Sequence, residues 1–417
     1  MLIVSHLSSP GQLVAADDFY FGALQQQLHD RGASSVLILV DHLRDAAARH
    51  ACNARLLPGT RHLLPQRVST AVEAQIWRQC IKSAQGLRRE ALQPNSALER
   101  ALAILASQQA LMAGAVANLR LHASIRELCW RLLPDIVITT YEGDASERMV
   151  WHAARAVPRP PLCVGYQHTR LMRRSHAIRH RLGPHLPACD PDVILTLGQS
   201  SQATLASSPQ LHSTRLITYG SHRRAAARQN PELAQRPNGC LVLPDADESE
   251  CAILFGFAAE CARRCPSIEF VFRPHPITDF MALRTRQSVL HTLPHNVTVS
   301  SFGNLEQDCL RARYCLYRGS SAVIHAVLLG LKPFYVAGPG ELSLDPLFEL
   351  NDWRETVQSP QQFQLRVELA RDLPDPAGAQ RAWEYCDRYV AAVQPEAIDE
   401  LLRLVASPGR KLTRGAS

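Results

Sequence analysis

Long hydrophobic runs are missing from this sequence of 417 residues. Its most apolar helical stretch, residues 101–119, is interrupted by Gln108 and Gln109, so it falls short of the ~18 continuous apolar residues of a membrane-spanning helix. Residues 1–6 contain too short an apolar run for a secretory signal, and no basic residue precedes it. These absences predict a cytoplasmic protein that does not span a membrane.

Lysine is also scarce. Only 3 of the 45 Lys and Arg residues are lysines, and the 42 arginines indicate genomic base composition first and binding of phosphate or carboxylate groups second. The net charge of +7 comes without a dominant Lys/Arg-rich run, which argues against a nucleic-acid-binding protein. The 12 cysteines include no Cys-x-x-Cys pair, and this favours buried free thiols over a structural zinc site.

Three signature motifs of nucleotide and ester chemistry are absent. The chain has no Gly-x-Gly-x-x-Gly after a predicted strand, no Gly-x-x-x-x-Gly-Lys-Ser/Thr and no Gly-x-Ser-x-Gly. Their absence argues against dinucleotide oxidoreductases, P-loop enzymes and hydrolases with a nucleophile elbow.

Short apolar runs alternate with helical patterns along the chain. Strands are predicted at residues 36–40, 136–139, 162–166, 193–196, 216–218, 240–243, 269–272, 297–299, 314–317 and 333–336. Short buried strands that alternate with helices are typical of βαβ units and a parallel sheet. The pattern predicts an α/β fold with two Rossmann-like domains that face each other across a cleft, where ligands bind.

The predicted domain boundaries follow changes in this pattern. Residues 1–220 are predicted to form the first domain, with a helical insertion near 68–130, and the polar stretch 221–239 is predicted to be a linker. The second domain is predicted over residues 240–395, and residues 396–417 are predicted to form a terminal helix and tail.

Two polar segments stand at predicted strand ends in the second half. In residues 317–321 (Tyr-Arg-Gly-Ser-Ser), Ser320 and Ser321 open a helix, where they either help to seat a phosphate or only cap the helix. In residues 272–276 (Phe-Arg-Pro-His-Pro), two prolines hold His275 at the cleft edge, as a nucleotide contact or as an ordinary surface residue. Together the two segments predict a phosphate site.

These His-Pro and Ser-Ser elements resemble the donor-nucleotide motifs of bacterial GT-B glycosyltransferases that use CMP-activated sugars, the sialyltransferases and the Kdo transferases of capsule or O-antigen synthesis. The resemblance covers about residues 130–350, and it implies a GT-B-like fold in which His275 and the paired serines contact the nucleotide. The segments 140–147 and 164–168 also resemble surface-polysaccharide biosynthesis proteins. The predicted donor site comprises Arg273, His275, Pro276, Arg318, Gly319, Ser320, Ser321 and Glu341.

The predicted catalytic residues are Glu142 and Asp144. Glu142 follows the strand at 136–139, opposite the predicted nucleotide, where it could deprotonate an acceptor hydroxyl or attack the anomeric carbon. Asp144 and Glu147 also match a capping box at a helix start. Sialyltransferases carry an Asp/Glu-Asp/Glu-Gly triplet where this chain has Tyr-Glu-Gly at 141–143, so the resemblance does not by itself assign the general base.

Acceptor or substrate binding is predicted for His168, Arg170 and Arg173. Arg170 and Arg173 belong to a basic segment, residues 170–185. Such a segment could bind an anionic sugar, a lipid-linked pyrophosphate acceptor or the headgroups of the inner membrane. The alternative is a solvated basic face without a ligand.

The sequence therefore predicts a metal-independent glycosyltransferase that acts on a bacterial surface glycan such as capsule, O-antigen or lipopolysaccharide. The resemblance favours a CMP-sugar donor, with Kdo first. Such a donor carries a single phosphate, so no metal or other cofactor is needed, and the helix dipole, His275 and arginines can stabilise it. Asp245 and Asp247 could bind a metal, but they precede a predicted helix, where acidic residues are favoured anyway.

The alternatives are a UDP- or GDP-sugar transferase, a polyol-phosphate transferase, and a non-catalytic GT-B-like protein that binds glycans or serves as a scaffold. The predicted partners are a nucleotide-sugar and a glycan or lipid-linked glycan acceptor, with no nucleic acid. A peripheral contact with the inner membrane is an open alternative to a freely cytoplasmic location.

Overall fold

The computed structural model describes most of the chain. The described residues are 1–8, 10–13, 15–43, 61–65, 67–93, 96–173, 175–179, 189–208, 211, 214–224, 236–275, 278–301, 303–373 and 375–406. Of the residues discussed above, those outside the description are Arg174, 180–185, 225–235, Pro276 and 407–417, together with the side chains of His176 and Arg179.

Seven parallel strands form the first sheet. They are β1 (Leu2–Leu7), β2 (Val36–Asp41), β3 (Arg61–Leu63), β4 (Ile136–Thr140), β5 (Leu162–Tyr166), β6 (Val193–Thr196) and β7 (Arg215–Thr218). Their order across the sheet is β3-β2-β1-β4-β5-β6-β7. Strands β4 to β6 are buried along their whole length, which explains their continuous apolar sequences.

Six parallel strands form the second sheet. They are β8 (Gly239–Leu243), β9 (Glu269–Phe272), β10 (Val297–Val299), β11 (Tyr314–Tyr317), β12 (Lys332–Val336) and β13 (Glu355–Val357), in the order β10-β9-β8-β11-β12-β13. The strand order reverses between β1 and β4 in the first sheet and between β8 and β11 in the second. Ligands of open parallel sheets bind outside the carboxyl ends of the strands at such reversals.

Helices cover the sheets and join their strands. They are α1 (Leu24–His29), α2 (Thr70–Ala91), α3 (Ala97–Gln109), α4 (Ala113–Leu132), α5 (Ala145–Arg155), α6 (His176–Arg179), α7 (Gln199–Ala206), α8 (Glu248–Arg264), α9 (Phe280–Arg286), α10 (Leu305–Cys309), α11 (Ala322–Leu328), α12 (Pro360–Asp372), α13 (Pro376–Tyr389) and α14 (Glu396–Ala406). The largely helical character predicted for residues 68–130 is confirmed as α2, α3 and α4.

A turn precedes α1 in the chain. The Asp18 carboxylate accepts hydrogen bonds from the N–H groups of Tyr20 and Phe21, at 2.8 Å each. Gly22 adopts a φ of +55°, which is unfavourable for other residues. These two features form a turn, and the helix begins only at Leu24.

The end of the chain joins the two halves. After α13, the backbone N–H of Ala391 donates to the Leu197 carbonyl at 2.8 Å, and that of Gln394 donates to the Tyr219 carbonyl at 2.7 Å. In α14, Asp399 forms an ion pair with Arg31 of the first half, with atoms 2.5 Å apart. The returning segment therefore links the second half to the first by backbone hydrogen bonds and an ion pair.

The described cysteines agree with the prediction of buried free thiols. The eleven described cysteines are all buried and unbridged. No group of three or more His, Cys, Asp or Glu side chains in the described part of the chain has the geometry of a metal site. The expectation of buried free thiols is confirmed for these positions, and Cys52 lies outside the described residues.

Candidate active site between the two domains

A cavity of about 350 Å³ lies in the cleft between the two halves. Its polar lining residues are His168, Arg170, Ser221, Arg223, Arg273, His275, Asn304, Glu306, Ser320, Ser321 and His325. Six of the residues singled out in the sequence are among them, two from the first half and four from the second. The cleft therefore brings together the predicted donor and acceptor residues, which are up to 153 positions apart in the sequence.

His275 follows β9 at the edge of the cavity. Its backbone carbonyl accepts the N–H of Thr278 at 2.8 Å, which fixes the turn after the strand. Burial lowers the pKa of His275 below its ordinary value of 6.5, Asp245 opposes this shift, and the positive charges of Arg223 and Arg170 add to it. The imidazole is therefore neutral near pH 7 and can donate a hydrogen bond from one nitrogen.

Arg273, two residues earlier, lines the same cavity but is held by the protein. Its guanidinium forms an ion pair with the fully buried Asp308 and donates to the Asn304 carbonyl at 3.1 Å. Much of its charge is thus compensated, and Arg273 is suited to shape the wall of the cavity.

Ser320 and Ser321 lie between β11 and α11. The Ser320 hydroxyl is 3.4 Å from the N–H of Ala322, a long contact, and Ser321 makes no capping hydrogen bond with its side chain. Gly319 precedes them with a φ of +71°, and a Cβ atom there would lie 2.8 Å from an Asp245 carboxylate oxygen. The backbone can turn into the cavity only with glycine at this position.

Arg318 and Glu341 lie outside the cleft cavity. The Arg318 guanidinium is buried, forms ion pairs with Glu250 and Glu341 and donates to the Val336 carbonyl at 3.1 Å. Neither residue lines the cleft cavity. Arg318 and Glu341 therefore form an ion-pair cluster with Glu250, outside the cavity that His275, Ser320 and Ser321 line.

Glu142 pairs with His168 in the first half. The His168 Nε2 and Glu142 Oε1 atoms are 2.8 Å apart, and the Glu142 side chain is 37% exposed. Burial acts to raise the pKa of Glu142, but the hydrogen bond from His168 and the nearby charges of His168, His6 and Arg170 outweigh it, so the pKa lies below the ordinary 4.5. Glu142 is a carboxylate at neutral pH. It does not line the cavity itself, but it contacts His168, which does.

Glu147 fixes the turn that carries Glu142. Its carboxylate accepts hydrogen bonds from the backbone N–H groups of Glu142, Gly143 and Asp144, at 2.9 to 3.0 Å. Asp144 is the N-cap of α5 and Glu147 is the third residue of that helix, which confirms the capping box. Glu147 is buried, and its carboxylate is used to fix the loop. Glu142 is therefore the carboxylate that contacts His168 and reaches the surface.

Arg170 bridges the cleft. Its guanidinium lies 2.6 Å from the Asp245 carboxylate, which follows β8 in the opposite half. Asp247 instead caps α8 by accepting the N–H groups of Ser249 and Glu250, at 2.8 and 3.2 Å. Both aspartates therefore have partners of their own, one across the cleft and one in the helix.

We expect catalytic activity to survive removal of divalent metals. Asp245 is paired with Arg170 and Asp247 caps α8, so both carboxylates are already engaged within the protein. The measurement is turnover in excess EDTA, with and without added magnesium or manganese. Loss of activity in EDTA that is restored by either ion would contradict the expectation.

Arg173 does not reach the cleft cavity. It lines a separate open depression together with Gln199, Glu349 and Arg388. Of the three predicted acceptor residues, His168 and Arg170 therefore meet in the cavity, and Arg173 stands apart from them.

Five polar residues of the cavity were missed as site residues in the sequence: Ser221, Arg223, Asn304, Glu306 and His325. Arg223 lies five residues after β7 with its guanidinium 3.9 Å from the centre of the Phe19 ring, and it also donates to the Phe19 carbonyl at 3.1 Å. His325 lies in α11, and burial lowers its pKa to about 4, with a further contribution from Arg223 and Arg224. A polar residue shortly after a strand end was the available signal for Arg223, whereas His325 resembled part of an apolar helix.

Three nitrogens in the cavity wall lack hydrogen-bond partners among the described residues. They are Nδ1 of His168, Nε of Arg170 and Nδ1 of His325, and all three are buried. A buried polar atom without a partner costs ~1–3 kcal/mol. All three belong to residues that line the cavity, and a polar ligand or water that reached them would supply the missing hydrogen bonds.

Comparison with solved structures identifies the fold of this chain. No protein-family model matches the chain, and no curated protein sequence matches it. Among solved structures, the calicheamicin glycosyltransferase CalG4 aligns with a TM-score of 0.55 at 15% identity, over 99% of both chains. The glycosyltransferase SnogD from Streptomyces nogalater aligns with a TM-score of 0.51 at 15% identity, over 97% of this chain and 98% of its own. The chain has a GT-B-like fold.

Enzymes of another kind share this GT-B-like fold. The UDP-GlcNAc 2-epimerase from Methanocaldococcus jannaschii, in complex with UDP-GlcNAc and UDP, aligns with a TM-score of 0.54 at 11% identity, over 97% of this chain and 99% of its own. The fold expected from the sequence is confirmed. At such identities the likeness shows the fold alone, and the reaction must be argued from the residues in the cleft.

Proposed function

We propose that the chain is a glycosyltransferase that takes its sugar from a nucleotide-activated donor in the interdomain cavity. The observation that carries the proposal is one cavity lined by basic and hydroxyl side chains of both domains, among them Arg170, Arg223 and His275. Because these side chains come from both sides of the cleft, one ligand that spans it can contact them together.

The donor phosphate is proposed to lie between His275, Ser320 and Ser321 on one side and Arg223 on the other. Arg223 forms no ion pair with a carboxylate in the described part of the chain, so its charge is available to an anion. Charge-assisted hydrogen bonds from arginine to phosphate are among the strongest in proteins. Arg170 adds a second cation at the cleft, although Asp245 shares its charge.

A CMP-activated ulosonic acid such as Kdo is the proposed donor. Such a sugar carries one phosphate and one carboxylate, and Arg223 and Arg170 can each bind one of these anions. The His-Pro and Ser-Ser elements support the same choice through their resemblance to transferases that use CMP-sugars. The proposed acceptor is a hydroxyl group of a bacterial surface glycan, free or lipid-linked.

Glu142 is proposed to act as the general base. The acceptor hydroxyl loses its proton to the Glu142 carboxylate as its oxygen bonds to the anomeric carbon, and the bond from that carbon to the phosphate oxygen breaks with the electron pair going to the nucleotide. His168 holds the carboxylate in place through the 2.8 Å contact. A direct attack of Glu142 on the anomeric carbon is the alternative, and it would give retention of configuration in place of inversion.

A nucleotide screen tests the donor site. A ligand at 100 times its dissociation constant stabilises the fold by ~2.7 kcal/mol, which a melting curve detects easily. We expect CMP to raise the melting temperature more than CDP, UDP or GDP at equal concentration. A shift with UDP alone would replace the CMP-sugar by a UDP-sugar, and no shift with any of the four would contradict a nucleotide site in the cavity.

His275→Ala and Ser320→Ala are each expected to weaken CMP binding by ~10-fold or more, because a hydrogen bond to a charged phosphate contributes ~1.5–3 kcal/mol. Calorimetric titration measures the affinity, and melting curves check that the variants fold. The matched control is His291→Ala, an exposed histidine of the same half outside the cavity. Wild-type affinity in both cleft variants would show that the nucleotide does not bind there.

An epimerase acting on a UDP-sugar is the second candidate. It is favoured by one observation, the fold shared with UDP-GlcNAc 2-epimerases. The two reactions differ in their need for an acceptor, because an epimerase changes its nucleotide-sugar alone. Proton NMR of UDP-GlcNAc incubated with the protein would show a second sugar configuration if this candidate is right, and unchanged UDP-GlcNAc would remove it.

A further inference from the structure

Exposed apolar side chains lie along α3 and at the bend between α3 and α4. We call this surface the apolar elbow and define it by Leu98, Leu102, Ile104, Leu105, Leu111 and Met112. Each of these side chains is 40 to 69% exposed. Leu98, Leu102 and Leu105 lie four and three positions apart, so they follow one another along one face of α3. The exposure of so many large apolar residues together indicates an interaction surface.

Of the two helices at the apolar elbow, α4 packs into the core and α3 is almost entirely exposed or half-buried. Ser107 is the only buried residue of α3, whereas Leu121, Ile125 and Cys129 of α4 pack into the core beneath the first sheet. Within the described residues, no single helix has the length and apolar composition to cross a membrane, and α3 with α4, bent by 65°, passes that test only as a pair. Because α4 belongs to the core, the pair can rest on a bilayer without leaving the fold.

The charges around the elbow have one prevailing sign. Residues 101–119 contain no charged side chain, and residues 67–133 contain nine Lys and Arg against four Glu and no Asp. The helix α2, which packs along α3, carries the exposed cations Arg78, Lys82, Arg88 and Arg89. One of the four acids, Glu73, is already paired with Arg120.

We propose that the apolar elbow docks on an anionic lipid bilayer. The apolar side chains enter the boundary between headgroups and acyl chains, and the exposed cations of α2 and Arg100 face the lipid phosphates. The inference rests on this surface and not on the reaction in the cleft. A second copy of the chain is a poorer occupant, because a two-fold contact would bring the same cationic face against itself.

Vesicle flotation tests the proposal. We expect the full chain to float with vesicles of equal parts phosphatidylcholine and phosphatidylglycerol, and to bind pure phosphatidylcholine vesicles at least ~10-fold more weakly. Leu102→Asp combined with Leu105→Asp should lower binding at least ~10-fold. Arg88→Gln combined with Arg89→Gln should lower it by a similar factor and reduce its dependence on salt, and this variant leaves the apolar face intact.

Leu365→Asp is the matched control, since Leu365 is an exposed leucine of α12 in the other half. It should bind vesicles as the wild type does. The absence of vesicle binding, or binding that is unchanged in the Leu102/Leu105 variant, would overturn the proposal. A dimer in lipid-free buffer that this variant dissociates, measured by light scattering, would also overturn it and assign the elbow to a second copy. The vesicles contain no sugar acceptor, so failure here leaves the proposed reaction untouched.

Discussion

Glu142→Gln is expected to lower turnover by ~100-fold or more while donor affinity and stability stay near those of the wild type. The amide is nearly the same size and can still accept the hydrogen bond from His168, but it cannot take a proton from an acceptor hydroxyl. Because the pKa of Glu142 lies below 4.5, activity of the wild type should fall only as the pH drops below that value through loss of the carboxylate. The assay is sugar transfer to a synthetic acceptor at saturating donor, with a melting curve for each variant.

Asp144→Asn is the matched control for that variant. It removes the same charge two residues away, at the N-cap of α5, where asparagine caps about as well as aspartate. Turnover should change by less than ~3-fold and stability by less than ~1 kcal/mol. Normal turnover in Glu142→Gln would remove Glu142 from the mechanism, and a larger loss in Asp144→Asn would transfer the role to Asp144.

Most of the central strands could be predicted from the sequence because burial on both faces leaves a physical trace, but the central strand β1 was not among the predicted strands. The strands β5, β6, β9 and β11 have the expected bounds, since each is a short apolar run with polar residues, glycine or proline close by. The edge strands β3 and β13 have only three residues each, and Arg61, His62, Glu355 and Thr356 are at least partly exposed. Their pairing depends on neighbouring strands, which a local pattern does not reveal.

The site could be predicted in part for a similar reason. His275, Ser320 and Glu142 follow buried strands, and the ends of parallel strands share one edge of the sheet. The same rule also selected Arg318 and Glu341, which follow β11 and β12. These two side chains pair with each other outside the cavity, and the sequence does not tell in which direction a side chain points from a strand end. The bridge from Arg170 to Asp245 joins residues 75 positions apart and depends on how the halves meet.

Arg223→Met is expected to weaken CMP binding by ~10- to 100-fold. Arg223 stacks on Phe19, which holds its guanidinium at the cavity wall, and removal of a charged hydrogen bond to phosphate costs ~1.5–3 kcal/mol. The substitution keeps a long unbranched side chain against the Phe19 ring, so packing losses should be small. Calorimetry gives the affinity, and a melting curve shows whether the variant is folded.

The histidines of the cavity provide a second readout that does not require a ligand. Burial is the main reason that the pKa of His275 is low, and the positive charge of Arg223 adds to the shift, so the pKa of His275 should rise in Arg223→Met. Arg224→Met is the control, because Arg224 pairs with Asp387 and does not line the cavity. We expect it to leave the CMP affinity and the His275 titration, followed by NMR, near their wild-type values. Wild-type CMP binding in Arg223→Met together with a raised His275 pKa would mean that Arg223 faces the cavity but does not hold the phosphate.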